Sequence, residues 1–382
     1  MVGRVGAWDV GLIEMQTGAD DAIGVGSENF GVARLRRQVL NRNSFVGAMA
    51  TSRVDGDGRY NITYGLDGFL RVFGDEYVTL KWLQTVRGGD AELDLAPGGL
   101  DAGRVVLDWT RRSTRGLSYQ HVLVWSGSGY EPGVGFEPRR DFTRVQSDWN
   151  YNWLPGSAGI LRRIWLGFAN NVWMRNADDQ VDTGEIGPFL QFETKRGVIF
   201  KLASKTTYED VPESFTLPGD LEILGADYWT TEASAELRAA REWPIRPNVT
   251  VTRGDFYDGD RFAVKTDFEW PPSAYVSFAG GWEWNRLRFP DRGESLDTNL
   301  LRLTVRLALD THFSMDAFGQ YNSLTDQLTT NTRVRYNFRE GQDLWLVWNE
   351  GLNLERDVLG MPRLPLSEAR TLTVKYTHTF IF

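Results

Sequence analysis

Apolar and polar residues alternate with a period of two along most of the chain. Near the end, Leu372, Val374, Tyr376, His378, Phe380 and Phe382 share one parity; Thr371, Thr373, Lys375, Thr377, Thr379 and Ile381 share the other. The same split recurs where Leu301, Leu303, Val305, Leu307 and Leu309 alternate with Arg302, Thr304, Arg306 and Ala308. It returns in Thr332, Val334, Tyr336 and Phe338 against Asn331, Arg333, Arg335 and Asn337, and in Ile62, Tyr64 and Leu66 against Asn61, Thr63 and Asp67. Successive strand residues point to opposite faces, so each segment predicts a strand between an apolar and an aqueous environment. Helical periodicity is nearly absent.

A soluble sandwich also alternates, so the connectors decide. They fall into two interleaved sets. One is tight: Asn41–Asn43, Gly74–Glu76, Ser113–Gly116, Lys195–Gly197, Asp310–His312 and Arg339–Gln342. The other contains long stretches: Gly18–Ser27, Gly88–Gly99, Gly129–Pro138, Val211–Ala226, Pro290–Asp297 and Asn353–Ser367. Tight turns on one rim and long loops on the other are the organisation of an outer-membrane barrel. The predicted fold is all-β, a transmembrane antiparallel β-barrel of about 20 strands (roughly 18–22) forming one domain over residues 1–382. Its short turns are expected in the periplasm, its long loops outside, and both termini on the short-turn side. Such strands can cross a bilayer only as a closed structure, since lipid offers no hydrogen-bond partners to an open edge.

Composition sharpens this picture. The 382 residues include 40 Gly, 15 Trp, 13 Tyr and 21 Phe. Aromatic rings gather near segment ends (Trp149, Tyr151 and Trp153; Trp282 and Trp284), as membrane–water interfaces favour. Tyr376, Phe380 and Phe382 look like the terminal signal read by outer-membrane assembly machinery. Cysteine is absent, which excludes disulfide scaffolds and thiolate sites. The net charge of −9 is not the footprint of a nucleic-acid binder. No leader precedes the patterned sequence, so Met1 is expected to be a start placed before the first strand of an excised barrel.

Several strings resemble one family. They are Ala7-Trp8-Asp9-Val10-Gly11, Glu28-Asn29-Phe30-Gly31-Val32-Ala33-Arg34-Leu35-Arg36 and Tyr64-Gly65-Leu66-Asp67-Gly68. Later come Gly133-Val134-Gly135-Phe136, Arg140-Asp141-Phe142-Thr143 and Arg286-Leu287-Arg288-Phe289-Pro290. The last are Gln320-Tyr321-Asn322-Ser323, Arg339-Glu340-Gly341 and Trp348-Asn349-Glu350-Gly351. The chain is similar to the barrel part of bacterial outer-membrane proteins of unassigned function in which a family-9-like carbohydrate-binding module precedes a C-terminal barrel. The resemblance spans the chain but lacks that module. It implies a surface-exposed barrel and, loosely, saccharide handling; it implies no catalytic residues.

Candidate chemistry is sparse. The three histidines are His121, His312 and His378, and no Ser or Asp pairs with them by spacing, so no catalytic residues, metal site or cofactor are expected. The informative constellation is the set of charges on the polar parity. Arg34, Arg36, Arg302, Arg306, Arg333, Arg335 and Lys375 are expected to form a basic arc of a pore wall. Glu185, Glu193, Glu232, Glu236, Asp267, Glu269 and Glu283 are expected to form an acidic arc facing it. The bland alternative is that these charges pair with neighbours and merely solvate the wall.

Two functions are expected from this pattern. The first is a water-filled pore for small hydrophilic solutes, saccharides among them, without enzymatic activity. The alternative is a structural or docking barrel whose loops or missing module bind a partner, with the lumen occluded by Val211–Ala226, Gly88–Gly99 or Asn353–Ser367. Expected partners are outer-membrane lipid, lipopolysaccharide, the assembly machinery and saccharides, and not nucleic acid. The expected location is the bacterial outer membrane.

Overall fold

The computed structural model describes residues 1–20, 24–89, 99–357 and 362–379. The first strands are β1 (Val2–Val5), β2 (Trp8–Gln16), β3 (Glu28–Gln38), β4 (Phe45–Asp55), β5 (Tyr60–Phe73) and β6 (Glu76–Gly88). They continue with β7 (Gly103–Arg111), β8 (Gly116–Ser126), β9 (Phe142–Trp153), β10 (Leu161–Arg175), β11 (Val181–Thr194) and β12 (Ile199–Val211). After two short strands, β13 (Phe215–Leu217) and β14 (Leu221–Ile223), come β15 (Ala226–Arg238), β16 (Arg246–Phe256), β17 (Gly259–Trp270) and β18 (Val276–Phe289). The last are β19 (Glu294–Ala308), β20 (Phe313–Asn322), β21 (Gln327–Arg339), β22 (Gln342–Asn353) and β23 (Ser367–His378).

All but β13 and β14 belong to one 21-stranded sheet, and those two form a separate hairpin. Consecutive strands pair antiparallel, as in β2–β3, β5–β6, β17–β18 and β22–β23. The chain is therefore all-β, with the strand number and up-and-down pairing of an outer-membrane β-barrel, as the alternation predicts. Contacts divide it into two compact units. The first is Met1–Trp153 with Trp165–Pro188 and Thr207–Asp210; the second is Leu154–Ile164, Phe189–Thr206 and Val211–Phe382.

The parity holds in atomic detail. Leu303 is 48% exposed and Val374 64%, and Trp149, Tyr151, Trp153, Trp282 and Tyr376 are exposed on the same apolar face. So large an apolar surface in contact with water would be unfavourable, and a bilayer removes that cost. The buried apolar cluster of the second unit is small: Leu221, Ile223, Leu287 and Phe289.

A short strand precedes the long ones: β1 folds back on β2, pairing Val2 with Gly11 and Val5 with Trp8. Without that four-residue strand, twenty long ones remain in the sheet. Half of the stretch Pro290–Asp297, from Glu294 on, is strand rather than loop. Phe289 pairs with Glu294 and Arg286 with Asp297, so the ladder runs nearly to the turn. Gly293 closes that turn at φ 67°, a left-handed conformation only glycine adopts without strain. An ion pair, Arg286 Nε to Asp297 Oδ1 at 2.8 Å, fastens the two strand ends.

Candidate functional site

The polar face of the sheet carries the ionisable side chains, and strand register explains which of them meet. On β18, Gly281 lies opposite Arg302 of β19 on one side and Asp267 of β17 on the other. With no side chain between them, Arg302 reaches across the intervening strand to Asp267 at 3.4 Å. A Cβ at position 281 would lie 2.7 Å from the Asp267 carboxylate and 3.1 Å from the guanidinium. The first unit repeats the device. Arg34 of β3 crosses β4 above Gly47 to Asp67 of β5, with Nη2 2.7 Å from Oδ2.

Most predicted wall residues are paired in this local fashion. Arg36 bonds Asp9 at 2.7 Å, and Asp9 also takes Arg4 at 2.7 Å. Arg306 meets Asp316 at 3.4 Å, and Arg335 meets Asp343 at 2.7 Å. Among the acids, Glu193 lies 3.0 Å from Arg162, Glu232 3.3 Å from Arg261, Glu236 2.5 Å from Arg238 and Glu269 3.5 Å from Arg246. Glu283 accepts from Asn285 Nδ2 at 3.5 Å, and Glu185 lies on β11 with the parity of Glu193. Arg333 and Lys375 form no ion pair with a carboxylate among the described residues. In the second unit Asp267 of the acidic set and Arg302 of the basic set belong to one rung. Neighbouring strands lie only ~5 Å apart, so opposite charges on adjacent rungs pair before they can act at long range.

Two connectors fold over the polar face. In the second unit, the β13–β14 hairpin lays Leu221 and Ile223 on Leu287 and Phe289, with Leu217, Tyr228, Phe256, Tyr257 and Leu296 around them. Ile223 is 0% exposed and Phe289 1%. Arg292 stacks on the Phe289 ring at 4.3 Å and donates to the Glu222 carbonyl, tying the hairpin to the β18–β19 turn. Val211–Ala226, expected as a long loop, thus carries a short hairpin laid on these strands. Of Gly88–Gly99 and Asn353–Ser367, residues 90–98 and 358–361 lie outside the described residues.

In the first unit, the β8–β9 connector, residues 127–141, reaches back to β5 and β6. Asn61 Nδ2 donates to the Glu131 carbonyl at 2.7 Å, and Gly133 N–H donates to Asn61 Oδ1 at 2.7 Å. The Glu131 carboxylate bridges Arg87 and Arg140, 2.6 Å to each. Glu137 pairs with Arg104, and Arg139 with Asp182. Burial pushes the Tyr130 hydroxyl above its ordinary pKa. A charged concavity of about 440 Å³ remains beside this loop, with Glu28, Arg53, Arg59, Arg87 and Glu131 in its wall. Sequence reasoning did not select Glu131, Arg87 or Asn61. Glu131 sits in a loop with no periodicity, and its partners Arg87 and Asn61 lie 44 and 70 positions away.

Each of the three histidines has a polar partner. His121 Nδ1 and Ser147 Oγ are 3.0 Å apart, a Ser–His pair that spacing alone did not reveal. They lie opposite one another on β8 and β9, on the apolar parity, packed against Trp149. The nearby Glu76 carboxylate instead accepts from Trp109 Nε1 at 2.9 Å and Tyr119 Oη at 3.1 Å. His312 Nδ1 lies 2.7 Å from the Asn337 carbonyl and His378 Nδ1 2.9 Å from Gln342 Nε2. Among the described residues no group of three or more His, Asp or Glu is placed to hold a metal. Of the expected assembly signal, Tyr376 is exposed on β23, while Phe380 and Phe382 lie outside the described residues.

Comparison with known protein families and with curated proteins finds no match. Among solved structures, the chain is similar to the siderophore receptor PirA from Pseudomonas aeruginosa, at 9% identity and TM-score 0.42, over 93% of this chain and 77% of that one. It is also similar to OmpT, an outer membrane protein of Vibrio cholerae, at 9% identity and TM-score 0.37, over 99% of both chains. Likeness at this level assigns neither family nor function.

Proposed function

We propose that the protein is an outer-membrane channel whose polar face lines a water-filled passage for small hydrophilic solutes. The observation that carries this reading is the ion-paired, water-accessible polar face, which is incompatible with a dry packed interior. Isolated buried charges are costly, whereas laddered Arg–Asp pairs with one side open to water are not. Barrels of ~16 strands and more leave a bore too wide for side chains to fill. Lipid and lipopolysaccharide would cover the apolar face, and the assembly machinery would read its C-terminal strand. No catalytic role is proposed for any residue: His121 bonds Ser147 on the apolar parity, and the nearby Glu76 carboxylate is taken by Trp109 and Tyr119. Incorporation of the purified chain into a planar bilayer tests the reading, with stepwise ion conductance as the expected result.

The infolded connectors favour a second reading, a docking barrel closed at its loop rim. Removal of residues 129–138 separates the two. A channel already open changes its conductance in size, whereas a closed barrel gains conductance from zero.

A further inference from the structure

On the polar face of β19–β21, the register places Asp316 opposite Arg306 on one side and Arg333 on the other. One carboxylate thus sits between two guanidinium groups. Asp316 lies 3.4 Å from Arg306, and Arg333 has no ion pair among the described residues. The adjacent rung does not supply the missing negative charge. There Arg335 and Lys375 flank Trp345, and Asp343 of the same strand is already bonded to Arg335 at 2.7 Å. Arg302 and Arg34, by contrast, each meet an Asp, and Arg36 shares Asp9 with Arg4.

The surplus cation opens into a concavity of about 470 Å³ lined by Thr304, Arg306, Asp316, Phe318, Asn331 and Arg333. Such a volume lies within the usual range for small-molecule sites. The lining is mixed in a particular way. A guanidinium presents parallel N–H donors matched to a carboxylate, and Thr304, Asn331 and Asp316 supply the donors and acceptors that hydroxyl groups need. Phe318 shares parity with Asp316 and adds an apolar ring to the same wall. A simple inorganic anion would use the arginine and the Thr304 and Asn331 donors but neither the Asp316 acceptor nor the Phe318 ring. A pyranose carrying a carboxylate would use all three kinds of group, with its C–H face against Phe318.

We propose that this concavity is a subsite for an acidic saccharide, a hexuronate unit whose carboxylate is taken by Arg333. The proposal rests on the channel reading for its role in passage, but the site can be assayed by binding alone. Calorimetry of the folded, detergent-solubilised chain at ~0.15 M salt, where screening acts over ~8 Å, compares digalacturonate, galactose and sulfate. Digalacturonate is expected to bind, with galactose and sulfate each at least about tenfold weaker. Arg333→Gln should lower the digalacturonate affinity by about tenfold or more, and Phe318→Ala should weaken digalacturonate without changing sulfate. If Arg333→Gln fails to fold, Arg333→Lys keeps the charge, loses the fork and should bind more weakly than the wild type. Equal binding of sulfate and digalacturonate would reduce the site to a plain anion patch and overturn the proposal, as would no binding at all. Binding without bilayer conductance would end the channel reading and leave the subsite standing; conductance with wild-type affinity in Arg333→Gln would do the reverse.

Discussion

Arg34 and Asp67 meet across a whole strand: the guanidinium of β3 passes over Gly47 of β4 to reach the carboxylate of β5, with Nη2 2.7 Å from Oδ2. Arg302 and Asp267 do the same over Gly281. In both places the glycine is the element that makes the ion pair possible, because any side chain there would occupy the path of the arginine.

Gly47→Leu and Gly281→Leu should therefore each lower stability by about 1–3 kcal/mol, the usual cost of forcing atoms into occupied space. Gly319, where a Cβ would meet no atom within 4 Å, is the control, and Gly319→Ala should be nearly neutral. The shift in unfolding temperature on heat-modifiability gels measures all three.

The β13–β14 hairpin should depend on Ile223, which is 0% exposed. Ile223→Ala should cost about 2–4 kcal/mol locally, the range for truncating a buried aliphatic side chain. Limited proteolysis would then cut within residues 212–225 faster in the variant, while the strands themselves stay protected. Equal cutting in both proteins would mean the hairpin is not held by this cluster.

These elements differ in how far the sequence foretells them. The twenty long strands are legible because period-two alternation is a local property of eight or ten residues. Partners such as Arg302 and Asp267, 35 positions apart, depend on register, which no single strand encodes. The β13–β14 hairpin was hidden for another reason. Phe215–Leu217 and Leu221–Ile223 are too short to show a period, and only their contact with Leu287 and Phe289 makes them strands. Those two residues carry the parity of the polar face yet are apolar, a local break in pattern that marks where a loop comes to rest.

The turn between β19 and β20 should respond to acid. Asp310 accepts N–H groups of Phe313 and His312, 2.8 Å each, and these bonds hold its carboxyl below the ordinary carboxylate range. A depressed folded pKa means the unfolded chain binds the proton more readily. The stabilisation is complete above the ordinary value of ~3.9 and is lost as pH falls through the lower folded value. Asp310→Asn should remove this contribution to the pH dependence, so wild type and variant should converge in stability toward pH 2. A difference that stays constant between about pH 6 and that limit would contradict the assignment.

Orientation can be read with single cysteines, since the chain has none of its own. Cysteine at Gly219, in the hairpin connector, should react with an impermeant reagent added to intact cells. Cysteine at Gly341, in the β21–β22 turn, should react only after the outer membrane is breached. The opposite pattern would invert the topology.

The most direct test of the central claim, that the charged polar face is a conducting wall, is single-channel recording of the purified chain in a planar bilayer. The account predicts stepwise conductance whose preference for anions over cations falls when Arg333→Glu and Arg335→Glu are introduced together. Silence from folded protein, or an ion preference unchanged by those two substitutions, would contradict it.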